Sequence, residues 1–386
     1  MRLYLLIGLV AAVVSFGVSL AVWRLSKRLR LAPAIRERDV HTVPTPRLGG
    51  IAMFLGVAAA FVVASQIPFF RLVFDNPGQV WAIFGAATII VVVGVLDDLL
   101  DLDWMIKLGA QILAAAVLAL QGVQILSLPF GNVLIVGSQF GSVALTILLV
   151  VLVMNAINFI DGLDGLVAGV AIIANGVFFL YSYLLAKEQS STGYFNLASL
   201  IAVTLVGVCA GFLPLNWHWP RARLFMGDSG ALLVGLLMAV SMIAVTGQLN
   251  PGPPDRAVLV GAFIPIVLPL AVLIVPIVDF ALAVVRRVSA GKSPFSADRK
   301  HLHHRLLDMG HSDVQAVLII YAWTAVVALG CLLFFILEDW PIPVAFIAVG
   351  LAVSLGYALM PLSRRRRAAA PPEPVPAEPD PGKQEQ

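Results

Sequence analysis

A chain of 386 residues that is 60% hydrophobic and 12% charged, with a mean hydropathy of +0.96, has too little charge to coat a water-soluble surface of its size. This excludes a soluble enzyme, a disulfide-stapled secreted domain, a nucleic-acid binder and a disordered chain as whole-chain readings, and the net charge of +3 needs another cause. Cys209 and Cys331 both sit inside apolar runs, as reduced packing residues with neither a disulfide framework nor metal-ligand spacing.

A membrane helix takes about 20 mostly apolar residues. In chain order such runs fall at 3–23, 49–65, 80–96, 107–123, 143–158, 166–186, 197–215, 230–247, 258–283, 315–337 and 342–360. The sequence therefore predicts an all-α polytopic membrane protein of about eleven transmembrane helices, with its chemistry on cytoplasmic loops. The first run continues directly into Arg24, Lys27, Arg28 and Arg30, which marks a retained anchor rather than a cleaved signal. With alternating loops, 21 of the 25 Lys and Arg residues fall on one side, leaving only Arg2, Arg71, Lys187 and Arg256 on the other. Basic loops stay cytoplasmic, so the N-terminus is expected outside and the C-terminus on the cytoplasmic side. Residues 1–362 form the membrane domain. Residues 363–386, which open on Arg364 to Arg367 and turn Pro/Glu-rich, are expected to be a disordered cytoplasmic tail drawn to anionic headgroups. No internal repeat of the kind transporter halves show is visible.

The loops on the basic side hold more than positive charge. The loop 97–106 carries Asp97, Asp98, Asp101 and Asp103, with Lys107 just beyond. Carboxylates near a bilayer core are costly, about 2.5–3.5 kcal/mol at a helix centre, and Asp97 directly follows an apolar run, which marks it as functional. The blander reading makes Asp97 and Asp98 mere caps of the span. Neighbours on a helix point about 100° apart, so the two acids have different jobs. Asp101 and Asp103 are either supporting or solvated acids. The next loop reads Asn155, Asn158, Asp161, Asp164 at every third position; these converge if the helix ends near Asn158, the backbone turns at Gly162 and Gly165, and a restarting helix offers N–H groups to a phosphate. Asp228, in Phe225-Met-Gly-Asp, is either an N-cap or a cation ligand. Phe225 is core or a face for a base, and Asn216, Trp217 and Trp219 suit the interfacial belt. The loop 284–314 combines Arg286, Arg287, Lys292, Arg299, Lys300 and Arg305 with His301, His303, His304 and His311, a patch better suited to a diphosphate than to zinc. Mg²⁺ takes one or two carboxylates plus substrate phosphates. The residues thus point to metal-assisted transfer of a phosphorylated group onto a membrane lipid phosphate.

These segments resemble the bacterial polyprenyl-phosphate N-acetylhexosamine-1-phosphate transferases, from about Arg38 to Ser312. The likeness is carried by His41-Thr-Val-Pro-Thr-Pro-Arg-Leu-Gly-Gly50, Asp97-Asp98-x-x-Asp101, Asn155-x-x-Asn158-x-x-Asp161-Gly-Leu-Asp164-Gly, Phe225-Met-Gly-Asp228 and His301-x-His303-His304. The resemblance implies transfer of a sugar 1-phosphate, in the usual case GlcNAc 1-phosphate, from a UDP-amino sugar to polyprenyl phosphate, with Mg²⁺ (or Mn²⁺) as cofactor and UMP released. It implies Asp228 and Asn158 as metal ligands. Asp97 would be the base or, in an older scheme, the nucleophile, and Asp98 would steady the metal or phosphates. Lys107 would meet the lipid phosphate. Asp161, Gly162, Asp164 and Phe225 would take the uridine; Arg47, Asn155, His301, His303, His304 and Arg305 would line the sugar-diphosphate site. Trp217 to Arg221 read as a short insertion that displaces Asn216 from the nucleoside site. A homodimer is allowed. Two alternatives stand beside this one. A phospho-N-acetylmuramoyl-pentapeptide transferase is disfavoured by Pro-Arg-Leu-Gly-Gly and by Asp101. A cation-coupled lipid transporter should place its acids at mid-membrane instead.

Overall fold

The computed structural model describes residues 1–29, 45–125, 127–130, 133–188, 193–217, 221–246, 302–337 and 339–360, with isolated positions between 285 and 291. Among the described residues twelve α-helices run in chain order: α1 (Arg2–Leu29), α2 (Gly49–Ser65), α3 (Arg71–Phe74), α4 (Pro77–Leu100), α5 (Trp104–Leu120), α6 (Gln139–Ile160), α7 (Leu166–Glu188), α8 (Gly193–Asn216), α9 (Gly227–Thr246), α10 (Leu302–Asp308), α11 (Asp313–Ile336) and α12 (Pro341–Ala358). All but α3 and α10 match an expected span. The remaining span, 258–283, lies outside the described residues, as do the Arg364–Arg367 cluster and the tail.

Eight of these helices are individually long and apolar enough to cross a membrane, so the chain is a multi-pass membrane protein. The described residues do not reach eleven by length. Helix α5 is apolar but short, and α2 joins the segment Pro68–Phe74 through a 99° bend. Pro68 begins that segment's 3₁₀ turn, where its missing N–H is no loss. The one non-helical element among the described residues is a hairpin, β1 (Ser127–Phe130) against β2 (Val133–Val136), antiparallel with Phe130 opposite Val133. An apolar-run reading does not foresee it.

Direction along the membrane can be checked from contacts. The Tyr4 hydroxyl donates to Asn196 Oδ1 at 2.9 Å, and Ser15 Oγ donates to the Val208 carbonyl at 2.8 Å. Contact positions rise together along the two helices, so α1 and α8 are parallel, as the first and seventh spans of an alternating chain must be. Their backbones nearly touch, because a Cβ at Gly207 would collide with the Gly8 carbonyl. Small residues allow such approach where lipid gives helices no hydrophobic reason to associate.

Candidate active site

The ends of α4, α6 and α8 and the starts of α5, α7 and α9 meet at one end of the helix bundle, and the expected polar segments meet there with them. Helix α4 stops at Asp101, which takes a left-handed conformation (φ 55°) while its N–H returns to the Asp97 carbonyl. The turn brings the Leu102 N–H to Asp97 Oδ1 at 2.9 Å, and Asp103 caps α5 by accepting from the Met105 N–H at 2.8 Å. This tight reversal carries Lys107 back over the end of α4. Its ammonium donates to Asp97 Oδ2 at 3.1 Å and to Asp228 Oδ2 at 3.3 Å, while Asn158 Nδ2 donates to Asp228 Oδ1 at 3.1 Å. Four side chains from α4, α5, α6 and α9 thus share one small volume.

Asp98 faces another way. Its Oδ1 accepts from the Asp228 N–H at 3.0 Å, and its Oδ2 accepts from the Ser229 N–H at 3.3 Å and Ser229 Oγ at 2.9 Å. The capping role that the sequence offered to Asp228 is performed by Asp98 from a different helix. Its acceptor oxygens take up N–H groups that the first turn of α9 would otherwise leave unbonded. Asp228 is left with its carboxylate aimed at Lys107 and Asn158.

The glycine-rich turn after α6 behaves as a built loop. Helix α6 ends at Ile160, and Gly165 (φ 77°) leads into α7. The Gly165 N–H, expected to await a phosphate, instead donates to Asn216 Oδ1 at 3.0 Å; Asn216 Nδ2 donates on to the Leu224 carbonyl at 3.1 Å. Asn216 is therefore a strap between two loops. Asp164 Oδ2 accepts from the Ala222 N–H at 2.9 Å, and the Tyr321 hydroxyl donates to the Gly165 carbonyl at 2.5 Å. Asn155 turns from the cluster to donate to Gln111 Oε1 at 2.5 Å and to the Val151 carbonyl. Phe225 joins through its backbone, its N–H bonding the Pro46 carbonyl and its carbonyl accepting from Gly49; the Arg47 carbonyl presses on Gly227. His301 lies outside the described residues, and the side chains of His303 and His304 on α10 do too. Arg305 is exposed on α10. His311 is buried away from the cluster, its Nε2 2.9 Å from the Ala358 carbonyl.

Asp161 is crowded by protein although part of its surface stays open. Burial, followed by the charge of Asp228, pushes its carboxyl up to about 7; Arg47 opposes this and Asp164 adds to it. A folded-state value above the ordinary one favours the protonated form, so the acid costs the fold stability increasingly as pH rises from about 4 to 7. Asp161→Asn should melt at the same temperature as the parent near pH 4 and several degrees higher at pH 8, measured without ligands in detergent. Equal melting at pH 8 would contradict the assignment.

Sequence reasoning missed Gln111, Ser229 and Tyr321. Gln111 had a signal, since it stands one turn beyond Lys107 in an otherwise apolar helix. Ser229 directly follows Asp228. Tyr321 had none.

The family model described as glycosyl transferase family 4 matches residues 80–246, the stretch holding Asp97, Asp98, Lys107, Asn158 and Asp228. Over 365 residues the chain is 41% identical to the decaprenyl-phosphate N-acetylglucosaminephosphotransferase of Mycobacterium leprae, covering 94% of this chain and 91% of that one. It is 32% identical to the probable undecaprenyl-phosphate N-acetylglucosaminyl 1-phosphate transferase of Bacillus subtilis (81% and 82% covered). The undecaprenyl-phosphate alpha-N-acetylglucosaminyl 1-phosphate transferase of Yersinia pestis matches at 31% (77% and 74% covered). The chain belongs to this family of polyprenyl-phosphate N-acetylhexosamine-1-phosphate transferases. It is a phosphotransferase enzyme, and the cluster of Asp97, Lys107, Asn158 and Asp228 lies at the helix ends rather than at mid-span. A transporter's coupling site belongs at mid-span.

Among the described residues no three His, Cys, Asp or Glu side chains are arranged to enclose a metal. Mg²⁺ asks for less, one or two carboxylates with substrate phosphates and water completing the shell. Asp97 and Asp228 already grip one cation, the Lys107 ammonium. The donor set therefore fits a divalent ion held jointly with a diphosphate.

Proposed function

We propose that the chain transfers N-acetylglucosamine 1-phosphate from its UDP-sugar to polyprenyl phosphate, releasing UMP and leaving polyprenyl-diphospho-N-acetylglucosamine, the first lipid-linked step of an envelope glycan. One observation carries this reading: two carboxylates, a lysine and an asparagine gather at one end of a bundle of apolar helices, where a lipid's phosphate meets water. The relatives' names supply the sugar and the polyprenyl acceptor. The site lies on the cytoplasmic face of the bacterial inner membrane with the N-terminus outside, supported by the basic loops at that end.

In this reading an oxygen of the lipid phosphate attacks the sugar-bearing phosphorus, and the bond from that phosphorus to the UMP oxygen breaks. One diphosphate linkage replaces another, so no further energy source is needed. Lys107 swings from its two carboxylates onto the incoming lipid phosphate, neutralising charge that would repel the diphosphate. Asp97 then accepts the proton of a monoprotonated lipid phosphate, sharpening the nucleophile. Asp228 and Asn158 would hold Mg²⁺, which when bound offsets the charge growing on the leaving UMP. Asp98 keeps Asp228 in place through the α9 backbone. Asp161, Gly162, Asp164 and Phe225 accommodate uridine, and Arg47, Asn155, His301, His303, His304 and Arg305 accommodate the sugar diphosphate.

Purified enzyme in nanodiscs containing decaprenyl or undecaprenyl phosphate should release UMP and lipid-linked sugar in equal amounts from UDP-N-acetylglucosamine, with activity abolished by EDTA and restored by Mg²⁺ or Mn²⁺. Failure of folded enzyme with every UDP-amino sugar would overturn the proposal. A clear preference for UDP-N-acetylmuramoyl-pentapeptide would select the sibling activity.

A further inference from the structure

We infer that the groove on α8 between α1 and α7 is a binding site for an anionic glycerophospholipid, separate from the transferase cluster. Ala210, Leu213 and Pro214 of α8 and Trp217 directly after its end fall at i, i+3, i+4 and i+7 and make one stripe, the Trp217 N–H continuing the helical pattern to the Leu213 carbonyl. Helix α1 covers the adjoining stripe, where Gly207 and Gly211 meet Gly8 and Ala12. Ile172 of α7 closes the other side, leaving a cavity of about 560 Å³ with apolar walls.

At the mouth of this cavity stand Arg221 and Arg223, both exposed. Lys27 and Arg223 further crowd the Trp23 ring, with Lys27 Nζ 4.4 Å and Arg223 Cζ 5.6 Å from its centroid. Among the described residues none of these three cations pairs with a carboxylate. Like charges gathered on one indole repel, and a shared anion relieves that repulsion. The mouth lies at the helix ends, level with the loop that carries Asp228. That combination suits a phosphodiester held by arginine forks and an indole at the interface, with an acyl chain lying along Ile172, Leu213 and Pro214.

Below the two arginines the lining side chains offer a nucleotide base one polar group, the Trp217 indole N–H. The helices that supply Asp97, Lys107, Asn158 and Asp228 do not line the groove, so the site does not depend on the proposed reaction.

The test is native mass spectrometry of the full chain titrated with palmitoyl-oleoyl phosphatidylglycerol or the matching phosphatidylcholine. The parent should bind one phosphatidylglycerol at least tenfold more tightly than phosphatidylcholine. The double variant Arg221→Gln, Arg223→Gln should lose that preference, and Ala210→Trp, which fills the groove without changing charge, should expel both lipids. The double variant should keep its helical circular dichroism and, in phosphatidylcholine nanodiscs, a UMP release rate within twofold of the parent. Retention of phosphatidylglycerol by the double variant at the parent's affinity would overturn the inference. So would one-for-one displacement of phosphatidylglycerol by undecaprenyl phosphate from the parent, since the groove would then belong to the substrate.

Discussion

Asp228→Asn should lower UMP release by about a thousandfold while leaving the helical content unchanged, a loss on the scale of removing a key charge-stabilising group from an enzyme site. The asparagine keeps the oxygen that accepts from Asn158 Nδ2 and the backbone N–H that bonds Asp98. What it removes is the negative charge facing Lys107, the charge assigned to the divalent ion. Asp97→Asn should cost a similar factor for another reason. It removes the proposed proton acceptor and halves the ion pairing of Lys107. The two should be told apart by titrating Mn²⁺, because Asp228→Asn should raise the metal concentration needed for half-activity and Asp97→Asn should lower the maximal rate at saturating metal. Identical metal dependence in the two variants would contradict the division of roles.

The second large effect is expected at a glycine that carries no polar side chain of its own. A Cβ at Gly94 of α4 would collide with Ser229, and a Cβ at Gly50 of α2 would strike the Ser229–Gly230 backbone. Those two glycines let α2 and α4 grip the first turn of α9, where Asp98 holds the Ser229 N–H and hydroxyl. Gly94→Val must push α9 away. Overpacking of this kind costs about 1–3 kcal/mol, and a displacement near 1 Å at a reacting group costs on the order of a hundredfold in rate. The expected result is a lowered melting temperature with activity down about a hundredfold. Gly85→Val on the same helix, where a Cβ meets nothing within 4 Å, should change neither by much. Equal effects of the two valines would contradict the grip on α9.

The helices and the meeting of the polar loops were legible because each leaves a mark in the side-chain alphabet. An apolar run announces a span. Asp97, Lys107, Asn158 and Asp228 stand out because charge and amides are expensive at the ends of such runs. Other features leave no such mark. Asp98 bonds to backbone N–H groups 130 and 131 residues away, and any residue but proline at 228 would have supplied the first of them. Asn216, read as displaced from its place by an insertion, instead ties Gly165 to Leu224, two backbone groups whose residue types give nothing away. The 99° bend after α2 was invisible for a related reason, since Pro68 starts one helix as readily as it ends another. Apolar content likewise fixed the ends of α5 poorly, because its C-terminal turn at Gln121 and Gly122 comes before the hydrophobic run stops.

In this mechanism Asn158 and Asp228 hold one divalent cation that also touches the substrate diphosphate, with Asp97 beside it as the proton acceptor. Electron paramagnetic resonance of Mn²⁺ added to the purified enzyme tests it without relying on turnover. The expected spectrum shows one tightly held Mn²⁺ in the presence of UDP-N-acetylglucosamine, with hyperfine coupling to ³¹P that disappears in Asp228→Asn. A bound Mn²⁺ without phosphorus coupling, or one that persists unchanged in Asp228→Asn, would contradict it.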